Sequence, residues 1–318
     1  MTLRADDLID RRRLRRKLTF WRIAALAVLL VGLAALSAWF FGDDIGGTRV
    51  DQIAKIRIEG TITQNDELLR RIEAVRKAAN VKGVILLVNS PGGTTVGGET
   101  IFNAVRKLAA EKPVVTEVGT LAASAGYMIA SASDYIVAHQ TSIVGSIGVL
   151  IQYPDVTGLM DKIGVKLEEV KSSPLKASPS PFEPTTEEAR AMVRKLIMDS
   201  YNWFVDIVAE RRNLPRDQAL ALADGSIFTG RQAVANKLVD ALGGEEEAVK
   251  WLGTKGVDQK LKVVEWKNTE RTGSFLFSSA LMRQIGMALG LPQESGEVLR
   301  EIGADRLFLD GLVSVWHP

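Results

Sequence analysis

The hydrophobic pattern of the middle of the chain alternates between strand and helix spacing. Apolar and charged residues alternate from Ala54 to Glu59, which predicts a half-buried strand ending at Gly60. Asn65 is a suitable cap for the helix that follows, because its side chain can accept a hydrogen bond from the first turn. The apolar run Val84–Val88 is then typical of a parallel strand that is covered on both faces.

Strands and helices continue to alternate along the chain. Further strands are predicted at 114–118, 135–138 and 261–266. Helices are predicted around 101–108, from Ser124 onward, and in several segments after Thr185. This repeated βα pattern predicts an α/β fold with a mainly parallel sheet and right-handed crossovers. In such a sheet, ligands bind at the carboxyl ends of the strands.

A proline-rich stretch and a long helix follow the predicted sheet. Residues 173–184 contain four prolines and are predicted to form a loop without regular structure. The helix from Thr185 is capped by Thr186. Its predicted inner face consists of Val193, Leu196, Ile197, Phe204, Ile207 and Val208.

The N-terminus has the pattern of a membrane anchor. Residues 1–22 are rich in arginine, and residues 23–42 contain no charge. Twenty helical residues span about 30 Å, which is the thickness of a bilayer core. The cationic flank predicts a cytoplasmic N-terminus, with everything after residue 43 on the other side. A cleaved signal peptide is the alternative, although its apolar core is usually shorter.

Composition excludes several kinds of chemistry. The chain has no cysteine, so it has neither thiol nucleophiles nor disulfides, and His139 and His317 are its two histidines. A histidine-rich metal site is therefore not expected, and we expect no cofactor. The net charge of +2 does not predict a nucleic-acid partner.

Ser124 is the first candidate for a catalytic residue. It lies between the predicted strand 114–118 and a segment of small residues that is predicted to be helical. A serine at such a junction would expose its Oγ beside the unpaired amides of a helix N-terminus. Most serines have no chemical role, so the position alone is weak support.

The Gly92-Gly93 pair is the second candidate. It follows the buried strand Val84–Val88, and we expect it to form a loop whose amides can approach a ligand. A double glycine is more often only a tight turn. Next to Ser124, however, it is the expected second donor of an oxyanion hole, with the Ala125 amide as the first.

A nucleophilic serine needs a base, and the residues alone leave two alternatives. His139 ends the strand 135–138, where a structural role is the simpler interpretation. Lys176 lies in the proline-rich loop among small and apolar neighbours. A lysine must lose several units from its usual pKa of about 10.4 to act as a base near neutral pH, and burial can cause this.

Five motifs occur in an order that resembles a known family. They are Asn89–Gly93, Ala123–Tyr127, Gly145–Gly148, Lys171–Pro179 and Asp224–Ala233. Together they resemble the signal peptide peptidase A family in its short, single-repeat form, over about residues 50–250. Those bacterial serine proteases are membrane-anchored and use a Ser-Lys dyad. Their fold is similar to that of the Clp protease and crotonase superfamily.

The resemblance implies roles for residues at the matching positions. Ser124 would be the nucleophile, Lys176 the general base, and Ser146 the residue that orients the lysine. Gly92 or Gly93 and Ala125 would supply the oxyanion amides. The family often has Ser-Gly-Gly where this chain has Ser124-Ala125-Gly126. It also commonly has a glycine three residues before the lysine, where this chain has Ser173, so Lys171 is kept as a second candidate for the base.

The resemblance also implies substrates and assembly. Substrates would be remnant signal peptides, hydrolysed through an acyl-enzyme on the periplasmic side of the bacterial inner membrane. The short form is similar to an octameric dome, so we expect a homo-oligomeric ring in which Lys176 acts on the serine of an adjacent subunit. The alternatives are a crotonase-like acyl-CoA enzyme and a non-catalytic membrane scaffold.

These inferences predict five regions. They are a basic cytoplasmic segment (1–22), a transmembrane anchor (23–42), a linker (43–49), a catalytic domain (50–252) and a C-terminal extension without an assigned role (253–318).

Overall fold

A mainly parallel β-sheet organises the chain after residue 51. The computed structural model describes residues 20–33, 50–267 and 313–315. The chain divides into two units, Met1–Asp51 and Gln52–Pro318. The strands are β1 (Gln52–Ile62), β2 (Val81–Thr94), β3 (Val114–Ala123), β4 (Tyr135–Ala138), β5 (Ile143–Gly145), β6 (Ile227–Thr229), β7 (Ala241–Leu242), β8 (Lys262–Glu265) and β9 (Val313–Val315).

The first unit contains one described helix, α1, over residues 20–33. The helices of the second unit are α2 (Asp66–Lys77), α3 (Thr95–Ala109), α4 (Ala125–Ser131), α5 (Thr157–Ile163), α6 (Glu187–Arg211), α7 (Arg216–Ala221), α8 (Gly230–Ala235) and α9 (Glu245–Thr254). Within the described ranges, no helix has both the length and the apolar character needed to cross a bilayer. Of the predicted anchor, residues 34–42 lie outside these ranges, as do 1–19, the linker 43–49, and residues 268–312 and 316–318.

The sheet has the topology that the βα pattern predicts. Its strand order is β6-β5-β3-β2-β1-β8, with β4 and β7 on the β3 side and β9 on β2. The pairs β1–β2, β2–β3 and β3–β4 are parallel. The pairs β2–β9 and β5–β6 are antiparallel. The sheet is therefore mainly parallel.

Each face of the sheet is covered by its own apolar cluster. The larger cluster packs α2, α3, α4 and the second half of α6 against the sheet. The smaller one packs α9 against strand residues such as Ile53, Ile85 and Val115. Successive side chains of a strand point to opposite faces, so a strand covered on both faces has the continuous apolar sequence of Val84–Val88.

The predicted helix caps are present. The Asn65 side chain accepts a 2.9 Å hydrogen bond from the Leu68 amide at the start of α2. The Thr186 hydroxyl accepts one of 3.1 Å from the Ala189 amide at the start of α6. Both contacts satisfy an amide that has no acceptor within the helix.

Two expectations about local structure are wrong. The Gly92-Gly93 pair is not a loop, because β2 continues through Thr94 and pairs with Thr61 and Ile62 of β1. The inner face predicted for the first half of α6 is not buried: Val193 and Ile197 are partly exposed, and Leu196 is 50% exposed. Of the predicted face, Phe204, Ile207 and Val208 are buried, because this part of α6 joins the larger apolar cluster and packs against α4.

Candidate active site

Ser124 occupies the turn between β3 and α4. Its backbone has φ 55° and ψ −120°, a combination that costs a non-glycine residue about 1–3 kcal/mol. Its amide donates a 2.8 Å hydrogen bond to the Gly145 carbonyl, which helps to hold the turn. Strained strand-to-helix turns of this kind present the nucleophilic serine in many hydrolases. The residue is only 1% exposed, so Ser124 is less accessible than the sequence predicted.

One glycine in α4 and one in α3 allow close packing around α4. A Cβ at Gly126 would lie 2.8 Å from the Ser90 carbonyl oxygen, so a side chain there would push the helix away. A Cβ at Gly98 of α3 would lie 3.1 Å from the Ala125 Cβ. The glycine at 98 therefore leaves room for the methyl group of Ala125, at the position where the related family often has glycine.

The end of β2 forms the second wall of the site. The Ser90 hydroxyl donates a 2.6 Å hydrogen bond to the Gly60 carbonyl and accepts one of 3.1 Å from the Gly92 amide. A Cβ at Gly93 would lie 1.9 Å from the Ile62 carbonyl oxygen, so only glycine fits there. The Gly92 amide thus donates to Ser90, and Gly93 pairs with Ile62 of β1 and Ser314 of β9. The oxyanion roles of Gly92, Gly93 and Ala125 stay predictions.

Ser124 and Ser146 line the same cavity of about 480 Å³. Most of its wall is apolar and comes from the segment after Ser146 and from α6: Ile147, Val149, Leu150, Ile197 and Met198. Besides Ser124 and Ser146, the lining contains the polar residues Tyr201 and Asp224. The Tyr201 hydroxyl donates a 2.8 Å hydrogen bond to the Ala223 carbonyl. Hydrogen bonds from Ser226 lower the pKa of Asp224, so this carboxylate is charged at neutral pH.

Ser146 lies in a second strained turn. Its φ is 50°, and the preceding Gly145 has φ 106°. A side chain at Gly145 would meet the Phe228 ring and the Ser226 carbonyl, each at 2.9 Å. The Ser146 amide donates a 2.7 Å hydrogen bond to the same Ser226 carbonyl. The pairing of β5 with β6 thus fixes the turn that carries Ser146.

The structure does not bring Lys176 to Ser124 within one chain. Lys176 is exposed, and it is not one of the described residues that line the cavity. Its amide donates a 3.1 Å hydrogen bond to the Ser173 carbonyl within the proline-rich loop. A base at this position would therefore reach the cavity of Ser124 after a movement of the loop, or from a second copy.

The two reserve bases occupy other environments. Lys171 forms ion pairs with Glu169 and Glu183, and hydrogen bonds to these two carboxylates raise the pKa of Lys171. The His139 ring packs against Gly244, where an added Cβ would lie 3.0 Å from Cε1. His139 is also missing from the cavity lining among the described residues. Lys171, like His139, does not belong to the described lining of the cavity that contains Ser124.

Several site residues were not identified from the sequence. Ser90 lies inside the Asn89–Gly93 motif, but its role in holding Gly60 and Gly92 depends on a contact across strands. Asp224 lies in the last of the five motifs, which was a usable signal for its place in the cavity. Tyr201 and Met198 had no local signal, because the long helix brings them to the site.

This geometry defines a hydrolase-type site, with a strained serine beside an apolar cavity in a Clp-like sheet. Comparison with known proteins gives the class. The model of peptidase family S49 matches residues 106–260, which include Ser124, Ser146, Lys171 and Lys176. The model of the Clp protease family matches residues 48–144, which include Gly92, Gly93 and Ser124.

Individual relatives support the same class. A provisionally named protease of Methanocaldococcus jannaschii is 40% identical over 219 residues, which cover 69% of this chain and 70% of the relative. A provisionally named signal peptide peptidase SppA of Enterococcus faecium is 34% identical over 236 residues, covering 70% and 69%. Protease 4 of Haemophilus influenzae is 35% identical over 209 residues, covering 63% of this chain and 34% of that protein.

The chain therefore belongs to peptidase family S49. It is a serine protease, and its Clp-like α/β fold agrees with the fold expected from the motifs. Family membership favours this class over the acyl-CoA enzyme and the scaffold, the two alternatives that the sequence left open.

Proposed function

We propose that this protein is a membrane-anchored endopeptidase that hydrolyses apolar peptides, with Ser124 as nucleophile and Lys176 of an adjacent copy as general base. The observation that carries the proposal is the place of Ser124, in a strained turn on an apolar cavity shared with Ser146. The substrate class that best fits such a wall is the apolar remnant of a cleaved signal peptide. The provisional name of the Enterococcus relative supports the same substrate class.

The proposed reaction is acyl transfer in two steps. Neutral Lys176 Nζ takes the proton from Ser124 Oγ, and Oγ attacks the carbonyl carbon of the peptide bond. Amides of Ala125 and Gly93 hold the oxyanion, and loss of one such donor typically costs about 2.7–4 kcal/mol. The C–N bond then breaks, and Nζ returns its proton to the leaving amine. Water activated by Nζ releases the acyl group from Ser124.

A second copy would complete the site. In the single chain the Lys176 side chain is exposed to solvent. Insertion of the loop beside Ser146 of another copy would desolvate the amine and lower its proton affinity. The Ser146 hydroxyl would then orient the amine toward Ser124, which makes Ser146 a positioning residue.

Exposed apolar side chains around the Lys176 loop support such a contact. Helix α5 has no buried residue, so it packs little against its own chain. The exposed apolar residues of this region are Leu159, Ile163, Val165, Leu167, Val170, Leu175 and Phe182. Large exposed apolar surfaces are typical of protein–protein interfaces. We therefore propose a homo-oligomeric ring. The octameric dome of the short form of the signal peptide peptidase A family, which this chain resembles, is the precedent.

The apolar run 23–42 and its cationic flank support the proposed location. The run would anchor the protein in the bacterial inner membrane, with the N-terminus in the cytoplasm and the catalytic unit in the periplasm. The substrates would reach the site from the same bilayer. Labelling of single cysteines introduced before and after the run, in intact cells, tests this topology, because the chain has no cysteine of its own.

Hydrolysis of a fluorogenic peptide tests the function. The full chain in detergent should cleave a peptide with an apolar core, and Ser124→Ala should abolish cleavage. Ser172→Ala is the matched control, because Ser172 is exposed in the loop and has no role in the proposed reaction. Equal activity in Ser124→Ala and the wild type would overturn the proposal.

A further inference from the structure

Strand β3 changes its outer partner on the way to Ser124. One edge of β3 pairs with β2. On the other edge, residues 115–118 pair with β4, whereas residues 121–123 pair with β5. Strand β5 ends at Gly145, whose carbonyl accepts the hydrogen bond from the Ser124 amide. The change of partner therefore brings the turn of Ser146 beside the turn of Ser124.

A bulge in β3 lies at the point of this change. The pair Val88–Val118 is followed by the pair Ser90–Ala122, so one residue of β2 lies opposite three residues of β3. The three bulged residues are Gly119, Thr120 and Leu121. A bulge interrupts the ladder of hydrogen bonds and bends the strand. The main-chain groups within it therefore need partners from outside the ladder.

Two side chains supply such partners. On the β2 side, Asn89 Oδ1 accepts a 3.2 Å hydrogen bond from the Leu121 amide. On the β5 side, the buried Ser142 hydroxyl donates a 2.6 Å hydrogen bond to the Gly119 carbonyl. The same hydroxyl accepts a 3.1 Å hydrogen bond from the His139 amide, at the end of β4. A Cβ at Gly119 would lie 3.3 Å from the Asn89 Cβ, so the bulge packs directly on this side chain.

We propose that Asn89 and Ser142 are positioning residues for the protease reaction, because they hold the bulge that sets Ser124 and Ser146 side by side. This inference rests on the roles proposed above for those two serines. Neither Asn89 nor Ser142 belongs to the described lining of the cavity, so each acts through the bulge and not through the peptide. Without these contacts the two turns would shift relative to each other, and small displacements of reacting groups reduce rates strongly.

Two substitutions at position 89 test this role. Asn89→Leu has a similar size but offers no acceptor to the Leu121 amide, so it should lower kcat about tenfold and change KM much less. Asn89→Asp keeps an oxygen acceptor and should retain most of the wild-type kcat. Equal kcat values for Asn89→Leu and the wild type, measured with the fluorogenic peptide, would overturn the role of Asn89.

Two buried serines provide a matched comparison. Ser142→Ala removes the hydroxyl from the bulge and should also lower kcat about tenfold. The control is Ser133→Ala, beyond the C-terminal end of α4. The Ser133 hydroxyl donates hydrogen bonds of 2.7 and 2.9 Å to the carbonyls of Ala130 and Tyr135. Its loss should lower the melting temperature and leave kcat nearly unchanged. Equal losses of kcat in the two variants would reflect stability alone and would contradict the proposal.

A double-mutant cycle tests whether Asn89 acts on the alignment of Ser124 with Ser146. Asn89→Leu and Ser146→Ala together should then reduce kcat by clearly less than the product of their separate effects. Effects that simply multiply would show that Asn89 acts independently of Ser146, against the proposal.

Hydrogen exchange separates this inference from the proposed function. The amides of residues 121–124 should exchange faster in Asn89→Leu than in the wild type, because the bulge has lost a partner. Unchanged exchange would overturn the inference even if the wild type cleaves peptides. If the wild type cleaves no peptide, the proposed function fails, while faster exchange would still support the hold of Asn89 on the bulge.

Discussion

The Ser124 amide donates a 2.8 Å hydrogen bond to the carbonyl of Gly145, the residue before Ser146. This bond joins two strained turns, one with φ 55° at Ser124 and one with φ 50° at Ser146. The conformation of both turns is fixed by neighbouring elements. The turn at Ser124 is held between β3 and α4, and the turn at Ser146 is held by the pairing of β5 with β6. The two hydroxyls are thus delivered to one cavity by separate elements of the sheet.

Ser146→Ala should lower kcat about tenfold or more and leave KM nearly unchanged. In the proposed reaction Ser146 orients the base and does not bind the peptide. The pH profile of kcat/KM should also change in its acidic limb, since in the proposed site the hydroxyl contacts the titrating amine. A merely structural role would lower the melting temperature without moving that limb. An unaltered profile would therefore remove Ser146 from the mechanism.

The two loop lysines should differ in their effects. Lys176→Met should reduce kcat about a hundredfold or more, because it removes the proposed general base. Lys171→Met should leave kcat nearly unchanged, because Lys171 is held by Glu169 and Glu183 and its pKa is raised. Loss of a partly exposed ion pair changes stability by less than about 1 kcal/mol. The reverse order of effects in a peptide assay would make Lys171 the base.

Gly126→Ala should damage both stability and activity. Its new Cβ would lie 2.8 Å from the Ser90 carbonyl oxygen, so α4 must shift away from β2 and carry Ser124 with it. Overpacking of this kind costs about 1–3 kcal/mol. Gly158→Ala in α5 is the control, because a Cβ there meets nothing within 4 Å. Urea unfolding and kcat should show losses only at position 126, and equal losses at both would contradict the packing argument.

Tyr127→Phe should destabilise the fold and spare the chemistry. The fully buried Tyr127 hydroxyl donates a 2.9 Å hydrogen bond to the Leu238 carbonyl, and burial raises the pKa of this phenol. Removal of the hydroxyl leaves a buried carbonyl unsatisfied, at a cost of about 1–3 kcal/mol. Tyr153→Phe is the comparison, since its hydroxyl has a 3.4 Å contact with Thr185 in a half-buried place. Equal unfolding midpoints for the two variants would refute this account.

The sequence predicted the fold well where structure is local. Helical stripes, the caps at Asn65 and Thr186, and the apolar run Val84–Val88 each depend on residues within a few positions of one another. The errors have a common cause. Gly92 and Gly93 look like a loop in sequence, yet Thr61, Ile62 and the distant β9 supply them with strand partners. Such pairing has no signal in the segment itself.

The candidate site shows the same division. The family resemblance implied that Ser124 and Ser146 act in one site, and in the structure they line one cavity. The exposed half of α6 was not foreseen, because its apolar residues have the spacing of a buried face. The spacing of apolar residues along a helix predicts that the apolar face will be buried. It does not predict whether the same chain or another copy buries that face. The role of Lys176 depends on the same distinction.

Mixing two inactive variants tests the central claim most directly. Ser124→Ala keeps Lys176, and Lys176→Ala keeps Ser124, so each homo-oligomer should be inactive toward a fluorogenic peptide. Subunits of the two variants, dissociated and reassembled together, should recover part of the wild-type activity, because some sites then receive both residues from adjacent copies. Mass spectrometry of the intact assemblies shows whether subunits of the two variants have mixed. If mixed assemblies form and stay inactive, the result contradicts a shared Ser-Lys site. Activity in either variant alone would contradict the dyad itself.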